Sequence, residues 1–434
     1  MNIRFLNLLF VVVIFMSCSK DDAPETSPET IDSSPNILLI IADDMGRDAS
    51  PGYSEGAIKP TAPNIEGIMN AGIKFNNFWV APTCSPTRAT IITGKYGYRT
   101  NVLTPGDELA ISETTLQAYI NQQTNNAYAT SIIGKWHLSG GNATQNPEDR
   151  GIDYYAGIFS GGVGDYSSWN FNEDGVTTNE TTYSTEKLTD LAIDWVDDQI
   201  KPWFLWMAYN APHTPFHLPP SEMHSQGNLV DSDAAIASNP LPYYMAMIEA
   251  MDHQIGRLLS SMTTEERDNT IIIFIGDNGS PNRVAQSPYS ASRAKGTVYQ
   301  GGVNTPMYIS GKGVSRIGDE NALINSTDLF ATIATIAGAN VDEINDSQDF
   351  SALLTSTSGA SREFIYSEKS VGTNEQWSIR NTTYKLIENT NGDQEFYHLE
   401  NDPYEVTNLL LQELTGAASL AKASLEAHLL IIRN

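Results

Sequence analysis

At 434 residues the chain is long enough for two domains built on a large core. Its apolar content is ordinary, which excludes a disordered chain. A balance of 52 acidic against 25 basic residues leaves a formal charge of −27, which excludes nucleic acid as a natural partner.

Met1 to Cys18 opens with Arg4 and carries an apolar run from Leu8 to Met16, too short to span a bilayer. It reads as a signal peptide over residues 1–17. The run ends Phe-Met-Ser-Cys, which resembles the lipobox of bacterial lipoproteins. That resemblance implies a lipid on Cys18 and a protein anchored to the outer membrane, on the cell surface or the periplasmic face. A cleaved, soluble secretory protein is the alternative. Residues 18–34 are rich in Ser, Pro, Glu and Thr and form a flexible tether.

The apolar run Asn36 to Ala42 reads as a buried parallel strand. It ends in Asp43-Asp44-Met45-Gly46, two adjacent carboxylates that need something positive beside them. A divalent cation with oxygen ligands answers that need, and so does a plain cap and turn. Pro63 to Ala71 predicts a helix stopped by Gly72, and Ile73 to Val80 a strand. Thr83 to Gly94 reads T-C-S-P-T-R-A-T-I-I-T-G. Ser85 is the expected N-cap and Pro86 suits the first turn, with Ala89, Ile91 and Ile92 on a buried face. Cys84 then sits at the mouth of a helix, where N–H groups favour an anion, and Arg88 lies four residues on. Taken alone, Cys84 reads equally as a small buried hydrophobe.

Glu113 to Gln122 predicts a helix and Tyr128 to Leu138 a strand with its end. Lys135 and His137 face one way if that strand persists, suited to holding an anion and moving a proton. A snorkelling lysine is the plainer account. Asn142 to Asn179 lacks helical period and is expected to be a long surface excursion. Its Arg150, Tyr166 and Trp169, with Trp206, either face a sugar or pack. A helix is expected over Glu186 to Gln199 and a buried strand over Trp203 to Tyr209. The latter delivers His213 between two prolines; His217 and His224 follow on a loop, substrate-facing or solvated. Pro242 to Met262 is a helix. Thr270 to Ile275 is another buried strand, ending in Gly276-Asp277-Asn278-Gly279 with two more hard oxygens. Lys295 lies in Ser292 to Gly302. Ser326 to Gly338 is a helix. Beyond about Asn345 the pattern changes to short strands (Phe364 to Ser367, Gln376 to Arg380, Tyr384 to Ile387) and a last helix from about Thr415.

The stretch from Pro82 to Gly94 resembles the signature of the formylglycine-dependent type I sulfatases, the arylsulfatase-like branch of the alkaline phosphatase superfamily. Gly-Lys-Trp-His-Leu at 134–138 resembles their second signature, and five separated motifs between Pro35 and Leu409 follow the family order. The resemblance implies an α/β fold, an alkaline-phosphatase-like mixed sheet sandwiched by helices, with residues 35–345 catalytic and 346–434 a smaller C-terminal α+β subdomain. It implies that a formylglycine-generating or sulfatase-maturing enzyme converts Cys84 to formylglycine (3-oxoalanine), whose hydrated form is the nucleophile. It also implies calcium, or less readily magnesium, held by Asp43, Asp44, the modified Cys84, Asp277 and Asn278. Arg88 and Lys135 would stabilise the nucleophile end, His213 and Lys295 the leaving oxygen, and His137 would take a proton. Three positions depart from the pattern: Ala127 stands where the family commonly has Gly, Gln300 where it has Glu, and Asn304 where it has Arg.

The activity implied is sulfate ester hydrolysis by a sulfatase. The tether and the aromatic loop suggest a sulfated polysaccharide or its oligosaccharides, and surface lipidation together with the habit of the family the chain resembles implies an algal one such as ulvan, carrageenan or fucan. A small-molecule arylsulfatase, a phosphonate or phosphate ester hydrolase on the same fold, and a non-catalytic glycan-binding lipoprotein are the alternatives. The charge of −27 opposes a sulfated substrate at long range, so local cations must decide binding.

Overall fold

Asn36–Ala42 is buried at every position and forms the middle of a ten-stranded sheet. The structure is a computed structural model and describes residues 34–140, 146–341, 344–359, 361–371 and 374–433. The expected signal peptide, Cys18 and all but the last residue of the tether lie outside the described residues, as does Asn142. Strand order across the sheet is Gly318–Glu320, Gly72–Phe75, Met307–Gly311, Thr270–Gly276, Asn36–Ala42, Trp203–Ala208, Ala129–Lys135, Tyr154–Ile158, Trp169–Glu173, Val176–Glu180. The five strands from Thr270–Gly276 to Tyr154–Ile158 run parallel, and antiparallel partners extend the sheet at both ends.

Side chains alternate across the sheet, so one strand feeds two cores. Leu38 and Ile40 join Leu205, Met207 and the helices Pro63–Asn70, Ser184–Asp197 and Leu241–Ser261. Ile37, Leu39 and Ile41 join Phe204, Trp206 and the helices Cys84–Thr93, Leu116–Gln123 and Asp328–Ile336 on the other face. Helices on both faces explain why the central strands read as unbroken apolar runs. The C-terminal part is a four-stranded antiparallel sheet, Ile365–Val371, Asn374–Arg380, Tyr384–Asn389 and Gln394–His398. The helix Gly416–Arg433 lays Leu425 and Leu429 against Ile379, Leu386 and Phe396 of that sheet. The expected mixed sheet between helices, with a smaller C-terminal sheet, is what the chain adopts. No helix among the described residues is long and apolar enough to cross a membrane.

Several local expectations change. Gly72 opens a strand, and Ala71 is the C-cap of the preceding helix. The expected strand from Ile73 to Val80 breaks in two: Gly72–Phe75 stays in the large sheet, while Phe78–Trp79 pairs with Ile324–Asn325. Residues 146–179 are no surface excursion. They contribute Tyr154–Ile158, Trp169–Glu173 and Val176–Glu180 to the sheet. Tyr166, Trp169 and Trp206 are buried and pack. His217 stacks on Tyr166 at 4.1 Å between centroids, with its Nε2 3.0 Å from the Tyr183 hydroxyl.

Candidate active site

Parallel strands in an open α/β sheet present their carboxyl ends as a shared crevice. Four of them do so here. Asp43 and Asp44 follow Asn36–Ala42, Asp277 and Asn278 follow Thr270–Gly276, Asn210 and His213 follow Trp203–Ala208, and Lys135 ends Ala129–Lys135 with His137 just beyond. The Cys84–Thr93 helix completes the ring with its N-terminus. Its N-cap is Thr83, not Ser85; the Ser85 hydroxyl accepts instead from the Gly106 N–H at 3.0 Å. Cys84 is therefore the first helical residue and almost wholly buried.

Contacts join eight of the ten sequence-predicted active-site residues in one network and pair the other two, Cys84 and His137. The Cys84 sulfur lies 3.3 Å from His137 Nδ1. Arg88 does not reach back to Cys84. Its guanidinium donates to Asp277 Oδ2 and to the Lys135 carbonyl, both at 2.8 Å. Lys135 Nζ donates to Asp43 Oδ2 at 2.6 Å, and Lys295 Nζ to Asp44 Oδ1 at 2.5 Å. Asn278 Nδ2 also donates to Asp44 Oδ1, at 2.7 Å, and His213 Nε2 stands 3.8 Å from Asp44 Oδ2. His137 is not placed by strand alternation, because the strand stops at Lys135. A left-handed backbone (φ 58°) turns its ring onto Cys84, and Asp44 is left-handed too (φ 71°). Non-glycine residues in that region concentrate where a site dictates side-chain direction.

Burial and charge shape the protonation states. Burial pushes the Cys84 thiol up, with Lys135 opposing, so it is a thiol and not a thiolate. Burial alone would raise Asp43, yet Lys135, with His213, Arg88 and Lys295 behind it, holds that carboxyl well below the usual range. Asp277 goes the other way, to about 6, because burial and the nearby Asp43 charge outweigh Arg88. Burial, then Lys135 and Arg88, hold His137 down to about 2, so the imidazole is neutral. Burial would lower Lys295, but Asp44 overrides it and keeps the ammonium charged.

The residues fit a hard cation. Asp43 Oδ1 and Asn278 Oδ1 are buried with no hydrogen-bond donor. Asp43, Asp44 and His213 each offer a ligand atom within 4.8 Å of the others. Carboxylate and amide oxygens of that kind suit calcium or magnesium. Asp277 already has both oxygens engaged, Oδ1 by the Asp44 N–H at 3.1 Å and Oδ2 by Arg88.

Some supporting residues escaped the sequence reading. The Tyr166 hydroxyl contacts the carbonyls of Asn210 and His213, at 2.9 and 2.7 Å, and so braces the His213 loop. Asn210 is buried with both amide atoms unpartnered, and its position directly after a buried strand was the available signal. Gly161 and Gly162 lie against the two histidines. A Cβ on Gly161 would come within 2.5 Å of the His137 ring, and one on Gly162 within 3.1 Å of His213 Nδ1.

Comparison with known proteins identifies the family. The family model described as Sulfatase matches residues 35–339. The uncharacterised sulfatase YdeN of Escherichia coli (strain K12) is 29% identical over 371 residues, covering 71% of this chain and 63% of its own. Arylsulfatase J of Mus musculus is 28% identical over 347 residues, covering 74% of this chain and 56% of its own. The chain thus spans less than two thirds of either of these curated relatives. The crystal structure of Ps i-CgsB in complex with k-i-k-neocarrahexaose superposes with a TM-score of 0.74 at 25% identity, over 87% of this chain and 88% of that one. With the match running through the large sheet and every strand end that lines the crevice, the chain belongs to the sulfatase family.

Proposed function

We propose that the protein is a sulfuric ester hydrolase that removes sulfate from a sulfated carbohydrate. One observation carries the reading: a buried thiol at a helix N-terminus, in contact with a neutral histidine, lies in a crevice with three carboxylate–cation pairs. Three carboxylates (Asp43, Asp44, Asp277) balance three cations (Arg88, Lys135, Lys295), so a divalent cation would leave the site positive and matched to an anionic ester. The solved neighbour bound to neocarrahexaose supports a carbohydrate substrate. An algal, ulvan-type polysaccharide remains our specific candidate.

A neutral, buried thiol is a poor nucleophile. That supports Cys84 as the precursor of formylglycine, whose hydrated form would supply the attacking hydroxyl. A calcium ion held by Asp43, Asp44, Asp277 and Asn278 would supply Lewis-acid polarisation of a sulfate oxygen. The chain's own groups divide by depth. Arg88 and Lys135 are fully buried and fix the charge around residue 84. His137 is neutral beside residue 84 and is poised to accept a proton there. His213 and Lys295 sit at the mouth, with about a fifth of each side chain exposed (19% and 21%). A substrate entering from solvent then meets them with its leaving oxygen, while its sulfur faces residue 84. We further propose that the mature chain begins at a lipidated Cys18, sits in the outer membrane and depends on a sulfatase-maturing enzyme.

The test is sulfate release from a panel of sulfated polysaccharides and their oligosaccharides, with the residue-84 aldehyde confirmed by peptide mass. Release that disappears in Cys84→Ala and on removal of divalent cations is expected. Silence on all sulfate esters with the aldehyde present would overturn the reading.

A further inference from the structure

A second cleft, of about 430 Å³, opens beside the turn that follows Gly72–Phe75. That volume lies within the ~300–1,000 Å³ of typical small-molecule sites. None of the ten active-site residues lines it. Gly72–Phe75 runs antiparallel to Met307–Gly311, which runs antiparallel to Thr270–Gly276, so its carboxyl end lies at the same edge of the sheet as the active site. It is two strands away, roughly 10 Å at the usual strand spacing.

The walls are polar and incompletely satisfied. Asn304 and Glu55 are 5% and 4% exposed, yet Asn304 Oδ1 and Glu55 Oε2 have no hydrogen-bond donor. Arg47 pairs with Glu55 Oε1 at 3.0 Å, but its Nε is unpartnered. Arg380 is 4% exposed and forms no ion pair with a carboxylate among the described residues. Its donors go to neutral oxygens: the Asn381 and Thr382 carbonyls at 2.8 and 2.9 Å, and Asn77 Oδ1 at 3.1 Å. Burial pulls the guanidinium down to about 10, with Glu405 partly opposing and Arg47 adding to the fall. Buried cations and lone acceptors of this kind are costly unless something pairs with them. Tyr289 and Tyr404 complete the cleft with rings set edge to face.

We propose that this cleft is a second binding site, for a hydroxyl-rich saccharide unit whose acidic oxyanion substituent pairs with Arg380. Sugar hydroxyls both donate and accept, so they satisfy Asn304 Oδ1, Glu55 Oε2 and Arg47 Nε together. The partly exposed Tyr404 ring offers an apolar surface to the sugar's C–H groups. The substituent is a sulfate or a carboxylate, since a guanidinium holds either in the same bidentate way. The proposal rests on the carbohydrate reading for the nature of the polymer, and it adds a remote contact to the chain being desulfated.

Binding to the full-length Cys84→Ala protein tests it apart from catalysis. Calorimetric titration uses two probe sets: sulfated neutral galactan oligosaccharides and unsulfated uronate oligosaccharides. Arg380→Gln and Asn304→Ala are each expected to weaken binding about tenfold, equivalent to about 1.4 kcal/mol. Lys295→Ala should leave that component in place. In matured protein the same two cleft variants should raise KM for long oligosaccharides and leave kcat on an aryl sulfate unchanged. The probe set that loses affinity identifies the oxyanion. Asn304→Ala keeps the test valid if Arg380→Gln fails to fold. No binding of either set, or binding abolished by Lys295→Ala and indifferent to both cleft variants, would overturn the proposal. Failure of the sulfatase reading would show separately, as absence of sulfate release with cleft binding retained.

Discussion

Arg88 holds Asp277 with one nitrogen and the Lys135 carbonyl with another, so removing it strands a buried carboxylate. Breaking a buried pair from one side costs about 3–5 kcal/mol. Arg88→Ala should lose stability of that order in urea unfolding and at least ~10²-fold in kcat. Near-normal turnover in the folded variant would remove Arg88 from anion stabilisation. Gly161 makes a different point. It is half-exposed and carries no strained backbone, yet a Cβ there would press into His137. Gly161→Ala should unfold at nearly the wild-type temperature while kcat drops about 10- to 100-fold, if His137 is the proton acceptor we propose and is displaced. Equal losses in both measurements would mean the loop is structural. His217 sets an acid limit. Burial lowers its pKa from 6.5 to about 4, against the Pro215 carbonyl, Asp165 and Asp231. The unfolded chain therefore binds the extra proton between those values. This contribution is intact above pH 6.5 and is lost progressively as pH falls toward 4, by up to about 3 kcal/mol. Urea midpoints from pH 7 to 4 should show a shallower decline in His217→Gln.

Among the elements, Ala129–Lys135 has the tightest constraint. Gly134 adopts φ 113°, and a Cβ there would lie 1.9 Å from the Ala208 carbonyl oxygen of the neighbouring strand. Gly134→Ala should cost about 3 kcal/mol or more in denaturant unfolding, and it would displace Lys135 and His137 with it. A fully stable, fully active variant would show that the strand ends can separate without harm. This residue also marks how far the sequence could be read. Asn36–Ala42, Trp203–Ala208 and Thr270–Gly276 were legible because doubly covered strands are unbroken apolar runs, and the Asp43, His213 and Asp277 segments follow directly from where they stop. The left-handed turn of His137 was not legible, since it depends on what the ring must meet. Trp169–Glu173 and Val176–Glu180 were missed because their Asn, Thr and Glu residues mask the alternation of a sheet edge. The available signal was Asp174-Gly175, both left-handed, a two-residue hairpin turn. Gln394–His398 was missed because only Phe396 and Tyr397 of its five residues are apolar.

At the scale of the whole molecule, the sequence carries a formal charge of −27, while the proposed substrate is itself an anion. Raising salt from about 10 mM to 0.15 M shortens the Debye length from about 30 to 8 Å. kcat/KM on a sulfated polymer should therefore rise severalfold over that range, and much less on a small aryl sulfate. A flat or falling profile would mean that the surface charge does not oppose the substrate. The burial of residue 84 has a consequence in time as well as in space. All ten residues of Cys84–Thr93 are buried, so a finished molecule gives an oxidising enzyme no grip on the thiol. If Cys84 is converted to formylglycine as we propose, the conversion has to precede folding. On that proposal, incubation of the folded protein with a sulfatase-maturing enzyme should leave it unchanged, while an unstructured peptide spanning residues 80–94 should be converted.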